Sequence, residues 1–285
     1  MDAQLQQLAA RNGLSRLGRK LFELMRPGIR LFLSPANDSQ IPFGASKFGG
    51  MPDLASDQSW PVANYAGQNE PMAFIAQLCL RDFAVMDTEH LLPTEGLLAF
   101  FYAAAELPTG DAPEMRDAWR VLFTTTTDLV RVAAPEGVAP YTPCTLKWEL
   151  QYMLPPTDSA SVDALKLDAD ESDLYDALRD DLTASQGHEN EPQHWLLGYP
   201  YQLQDNIQFQ CQTAPQGLYG ELSSDDKGWK RNLQESVKWH LLLQVDSDRR
   251  AKMRWGSGGM IYFCIHEEAL RTRQFADSWL VFQDL

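Results

Sequence analysis

Phe74-Ile75-Ala76-Gln77-Leu78 and Leu241-Leu242-Leu243-Gln244-Val245 decide how this chain is to be read. Each is an apolar run interrupted at the same place by one glutamine, and each belongs to a longer series of matches. Ahead of them, Gly49-Gly50-Met51-Pro52 answers to Leu197-Gly198-Tyr199-Pro200. Behind them, Gly96-Leu97-Leu98-Ala99-Phe100-Phe101 answers to Gly259-Met260-Ile261-Tyr262-Phe263-Cys264. The last match sets Trp119-Arg120-Val121-Leu122-Phe123 against Trp279-Leu280-Val281-Phe282. Matches kept in one order mark an internal repeat, so we read a tandem duplication.

Working outward, short apolar or alternating runs predict strands over 29–33, 72–80, 97–102, 120–126, 129–132 and 146–150. The second half predicts strands over 239–245, 260–265 and 280–283, with a helix over 267–275 between the last two. Leu14, Leu17, Leu21 and Leu24 recur at helical spacing near the start and predict an amphipathic helix docked on the protein's own core. Residues 158–191 hold eleven acidic and two basic side chains. Within them Leu174, Leu178 and Leu182 share a helical face, with Asp170 or Ser172 as the expected cap. An exposed linker is expected over 185–192. The predicted class is α+β, a strand-rich unit repeated with pseudo-twofold symmetry in one compact domain. Its expected parts are an N-terminal helix (1–26), a first repeat (27–150), an acidic helical insert and linker (151–194) and a second repeat (195–285).

At 285 residues the chain can bury a core large enough to need no disulfide or metal staple. Cys79, Cys144, Cys211 and Cys264 are far apart and form no Cys-x-x-Cys pair, which points to a reducing compartment. No signal-peptide pattern and no membrane-spanning run is found, so a cytoplasmic protein is expected. The formal charge is −15, although the first thirty residues carry six basic and only two acidic side chains. Such a field repels phosphate backbones, which disfavours nucleic acid, and it would steer a basic protein partner inward.

The repeated glutamines allow two readings. A buried amide left unpaired costs about 1–3 kcal/mol per group, so Gln77 and Gln244 are expected to stitch their strands to loop backbone. Alternatively they face each other across a cleft and hold a ligand. Lys47, in Ser46-Lys47-Phe48-Gly49-Gly50, could meet an anionic group, or stay in solvent beside a turn that anchors Phe48. Asp246-Ser247-Asp248 could contribute to a hard-cation site, although a solvated hairpin is the simpler reading. His188, Glu189, Glu191 and His194 offer ligand types in the expected linker, where support for a metal is poor. No nucleophile elbow, P-loop or dinucleotide fingerprint occurs. No catalytic residue, metal or cofactor is therefore assigned, and Lys47, Gln77, Gln244 and Asp246 are the candidate ligand-binding residues. Trp195, Tyr199 and Tyr201 are expected to pack around the second Gly-x-Pro loop, the other reading being an exposed scaffold patch.

Ser46-Lys47-Phe48-Gly49-Gly50-x-Pro52, Trp60-Pro61, the Gln77 run, Leu196-Leu197-Gly198-Tyr199-Pro200 with Gln204, and Leu242-Leu243-Gln244 through Trp255-Gly256 together resemble the YwqG-like family of bacterial proteins of unknown function. The resemblance runs from about residue 42 to the end. It implies a compact α+β domain and no known activity. Some relatives look like immunity components of toxin systems; with the acidic body and the lack of catalytic motifs, this favours a non-enzymatic binding protein, one form of which is an immunity protein that masks a basic toxin or enzyme. The alternative is an enzyme or small-ligand binder with its pocket where the repeats meet. One departure is Ser257, which stands where similar proteins commonly place an acidic residue after Trp-Gly.

Overall fold

The computed structural model describes residues 2–285 except Ala66, Glu189 and Asp225. β1 (Arg26–Pro35) leads into the short β2 (Lys47–Phe48) and β3 (Asp53–Ala55), then the hairpin of β4 (Val62–Tyr65) and β5 (Gln68–Pro71). β6 (Ala73–Cys79), β7 (Leu97–Tyr102), β8 (Trp119–Thr124), β9 (Leu129–Arg131) and β10 (Cys144–Met153) complete the first part. After a helical segment come β11 (His194–Leu196), β12 (Trp239–Asp246), β13 (Met260–His266) and β14 (Trp279–Gln283). One ten-stranded sheet, antiparallel throughout, runs β14-β13-β12-β11-β1-β10-β2-β6-β7-β8. β3 with β9 and β4 with β5 form separate two-stranded pairs.

Outward from the central β1–β10 pair the two arms have the same form: β11, β12, β13, β14 on one side and β2, β6, β7, β8 on the other. Both arms slip register at matching points, between Phe74 and Ala76 in β6 and between Leu241 and Leu243 in β12. Such irregularities bend a strand and increase its twist. The sheet curls until its ends meet through side chains rather than through a ladder. Trp119 of β8 and Trp279 of β14 stand edge to face with centroids 4.9 Å apart. The Trp119 indole N–H donates to the Ser278 carbonyl at 2.9 Å, and that of Trp279 to the Gly110 carbonyl at 2.8 Å. Deeper in, Phe100 meets Phe263 at 5.1 Å. A nearly closed sheet leaves little free edge and gives the two arms one core.

The helices form a smaller second core. α1 (Asp2–Arg11) and α2 (Gly18–Leu24) pack with α3 (Ala160–Asp163) and α4 (Ala169–Ser185) through Leu8, Leu14, Leu17, Leu21, Tyr175, Leu178 and Leu182. The expected leucine face is there, but Gly13 at φ 71° divides the helix and Leu24 is only half-buried. α4 is capped by Asp168 in a reciprocal box with Glu171, not by Asp170 or Ser172, so the helix begins earlier than its apolar face suggests. Within the expected linker, Gln186 and Glu191 are tied down. The Gln186 side chain pairs with both backbone groups of Tyr152 at 2.7 and 2.8 Å, and Arg30 Nη2 donates to the Glu191 carbonyl at 2.9 Å.

Three further helices, α5 (Ile207–Thr213), α6 (Lys227–Ser236) and α7 (Glu267–Arg271), accompany the second arm, and α5 packs against β12 and β14. Among the described residues no helix is long and apolar enough to cross a membrane.

Candidate functional site

The two arms hold the glutamines in equivalent settings. Gln77 lies opposite Lys47 where β6 pairs with β2, and Gln244 lies opposite Trp195 where β12 pairs with β11. Gln77 Oε1 accepts from the Asp53 N–H at 2.8 Å, and its Nε2 donates to the Ala45 carbonyl at 2.8 Å. Gln244 Oε1 accepts from the Tyr201 N–H at 2.9 Å, and its Nε2 donates to the Gln193 carbonyl at 2.9 Å. Each amide therefore bridges the two sides of its own glycine-containing loop. Both are wholly buried.

Lys47 is buried as well, contrary to the expectation of a solvated ammonium. Its Nζ donates to Asp38 Oδ1 at 2.8 Å and to the Met51 carbonyl at 2.5 Å. Burial holds its pKa below the ordinary lysine value, opposed by the Asp38 hydrogen bond. Beside it, Asp53 accepts from Arg131 Nε at 2.8 Å, Gln77 Nε2 at 2.8 Å and the Gly44 N–H at 2.9 Å. Burial pushes that carboxyl up, but the Arg131, Gln77 and Gly44 hydrogen bonds prevail and hold it below its usual range. Two cations and two carboxylates thus knit β2, β3 and β9 to the loop before β2.

Asp246 belongs to another cluster. Its Oδ2 accepts from the Gln193 N–H at 2.7 Å, and its own N–H donates to His194 Nδ1 at 3.1 Å. His194 Nε2 faces Asp248 Oδ2 at 3.1 Å, and Arg250 Nε grips the same carboxylate at 2.9–3.0 Å. The expected solvated hairpin is therefore mostly an interior polar cluster, with Asp248 buried. Nδ1 accepts from a backbone N–H, so the ring proton sits on Nε2, which donates to Asp248. His194 then has no free lone pair with which to act as a base. Among the described residues no group of three or more His, Cys, Asp or Glu could hold a metal ion. Of the expected linker ligands, Glu189 lies outside the described residues and His188 stands 3.5 Å from Glu149. Of the three aromatics, Trp195 and Tyr199 are buried and Tyr201 is exposed.

A groove of about 530 Å³ opens elsewhere, between the β4–β5 hairpin, the turn after β7 and the 136–141 loop. It lies within the ~300–1,000 Å³ range typical of ligand pockets. Its space comes from short side chains: Ala63, Ala73 and the run Ala103-Ala104-Ala105 line it. Tyr65 and Tyr141 supply aromatic surface, and Glu70, Glu106 and Glu136 supply three carboxylates. Among the described lining residues there is no lysine, arginine or histidine. Burial pushes the Tyr141 hydroxyl up to about 12, so it remains a neutral donor at physiological pH. None of Lys47, Gln77, Gln244 and Asp246 lines this groove.

The Gly49-Gly50 loop nevertheless supports the groove wall. The Gly50 N–H donates to the Tyr141 carbonyl at 2.9 Å. Gly49 has φ 60°, and a Cβ there would stand 2.5 Å from the Thr142 carbonyl oxygen, so glycine is what lets the wall approach. On the far side, the Thr142 N–H reaches the Ala251 carbonyl at 2.9 Å and Tyr141 meets Trp255 at 5.8 Å. The wall is thus fastened to both arms. The sequence reading does not find this site: Glu70 lies in a short hairpin strand and Glu106 and Glu136 in connectors, none with a readable period, and the Ala103–Ala105 run is the one available signal.

No curated protein matches the chain. A family model does match, over residues 46–283, beginning at the Ser46 loop and ending with β14; by that match the chain belongs to the family described as a domain of unknown function, DUF1963.

Proposed function

We propose that this is a non-enzymatic binding protein that receives a basic side chain of a protein partner in the alanine-floored groove. One observation carries the reading: three glutamates and two tyrosines surround an apolar floor, with no basic side chain among the described lining residues. An arginine or lysine would lay its aliphatic stem on the alanines and its charged head among Glu70, Glu106 and Glu136. The tyrosine faces add cation–π attraction. The net charge of −15 would steer such a partner in. A cytoplasmic protein that masks a basic toxin or enzyme would use this chemistry. A small-ligand site built from Lys47, Gln77, Gln244 and Asp246 has less support, because the first three are buried and already hydrogen-bonded within the protein.

The test is affinity purification of the tagged protein from its native cell at low salt. The expected result is one stoichiometric basic partner, released by about 0.5 M salt through screening. The combined variant Glu70→Gln, Glu106→Gln, Glu136→Gln is expected to bind it on the order of 10- to 100-fold less tightly. A partner held equally by that variant, or none held by the wild type, would sink the proposal.

We further infer that the arms are two copies of one unit, with the 158–191 segment an acidic insertion between them. The mirrored strand order, the matching register slips and the paired glutamine contacts support this. So do the consecutive left-handed residues, Gly49 and Gly50 in one loop, Leu197 and Gly198 in the other. In this reading β1, although first in the chain, serves the second unit as β10 serves the first.

A further inference from the structure

A second cavity, of about 120 Å³, lies between α4, the end of β10 and the loop flanking β11. It is distinct from the groove and shares no lining residue with it. Two of its side chains are left unanswered by the protein. Gln151 is 3% exposed, and its amide nitrogen has no acceptor among the described residues. Gln202 donates through Nε2 to Asp158 Oδ1 at 2.9 Å, which fixes its amide and leaves a buried Oε1 with no donor. Buried polar groups are nearly always paired, so a lone donor and a lone acceptor in one cavity need a partner that offers both. Arg179, whose Nη1 also donates to Asp176 Oδ1 at 3.1 Å, and the exposed Asp180 bring one charge of each sign to the same lining. Trp195 adds an apolar wall and is held in place by the Arg30 guanidinium 4.7 Å above its ring.

A lone ion or an apolar molecule fits these features poorly. An inorganic anion would suit Gln151 and Arg179 but would face the Gln202 oxygen and Asp180. A cation reverses the conflict, and an apolar molecule leaves both amides unpaired. A volume of about 120 Å³ limits the occupant to a small molecule. We propose that this cavity binds a small α-amino acid of the glycine, alanine or serine size. Its carboxylate is received by the Gln151 amide and Arg179, its ammonium by the Gln202 carbonyl and Asp180, and its short side chain lies toward Trp195.

Calorimetric and saturation-transfer NMR titrations of the 285-residue chain with glycine, alanine and serine test this. N-acetylalanine and alaninamide, each lacking one charge, serve as controls. At least one free amino acid should bind, and blocking either end should weaken it about tenfold or more, as expected where a site is built to hydrogen-bond the missing group. Gln151→Leu, which removes the unpaired amide, should keep a cooperative thermal transition and lose about tenfold in affinity. Asp180→Asn, at the more exposed side of the cavity, should lose affinity for alanine but not for N-acetylalanine, and it carries the test if Gln151→Leu fails to fold. No binding at about 10 mM would overturn the proposal and leave the cavity to water. Equal binding of the blocked compounds, or unchanged affinity in both variants, would overturn it too.

Discussion

Asp53→Ala is expected to lower folding stability by about 3–5 kcal/mol, the cost of breaking a buried ion pair from one side. The carboxylate is wholly buried and answers Arg131, Gln77 and the Gly44 backbone together. Removing it leaves the nearly buried Arg131 guanidinium without its carboxylate, beside an already buried Lys47. Urea denaturation with an unchanged dependence on denaturant would measure the loss. A change below about 1 kcal/mol, the range of exposed ion pairs, would show that the network is a bystander. The same site predicts the acid limb of stability. Asp53 has its pKa depressed by folding, so its contribution is present above the unfolded carboxyl pKa and is lost as pH falls through the folded value. The variant should therefore lose less stability than the wild type on acidification below about pH 4.

Gln77→Leu and Gln244→Leu should each cost about 2–4 kcal/mol, because each strands a backbone N–H and a carbonyl in the interior. Leucine keeps most of the volume, so the loss reports hydrogen bonds rather than a cavity. The two effects should be alike in kind but unequal in size. Gln77 also donates to Asp53 Oδ2 at 2.8 Å, whereas the further contact of Gln244 is only to the Met260 sulfur at 3.4 Å. Gln77→Leu should accordingly be the more damaging. A neutral result at either position would contradict the proposed equivalence of the two arms. The two denaturation midpoints, read beside the wild type, provide the comparison.

How much was legible in the sequence follows from the range of each interaction. β6, β7, β12 and β13 could be read because long apolar runs announce buried strands, and the doubled motifs paired them. β2, β3 and β11 are two or three residues long and too short to display any period. α5 leaves no signal in the sequence because Gln208 and Gln210 make it look solvated, although both are buried and bonded to the Trp239 and Thr109 carbonyls. Lys47 looked like a solvent lysine because its environment is not local: Asp38 is nine residues away, and Asp53 meets Arg131 across 78. The groove was less legible still. Its walls come from a short hairpin and two connectors, its space from alanines, and neither leaves a periodic trace.

The most direct measurement is a 15N-resolved NMR titration of the full chain with a hexa-arginine peptide in low salt. Exchange-averaged shifts are expected to concentrate on Tyr65, Ala104, Glu106 and Tyr141, to weaken with added salt, and to disappear in the triple Glu70→Gln, Glu106→Gln, Glu136→Gln variant. Shifts spread evenly over the acidic surface, or unaffected by the triple variant, would contradict the assignment of the groove as the binding site.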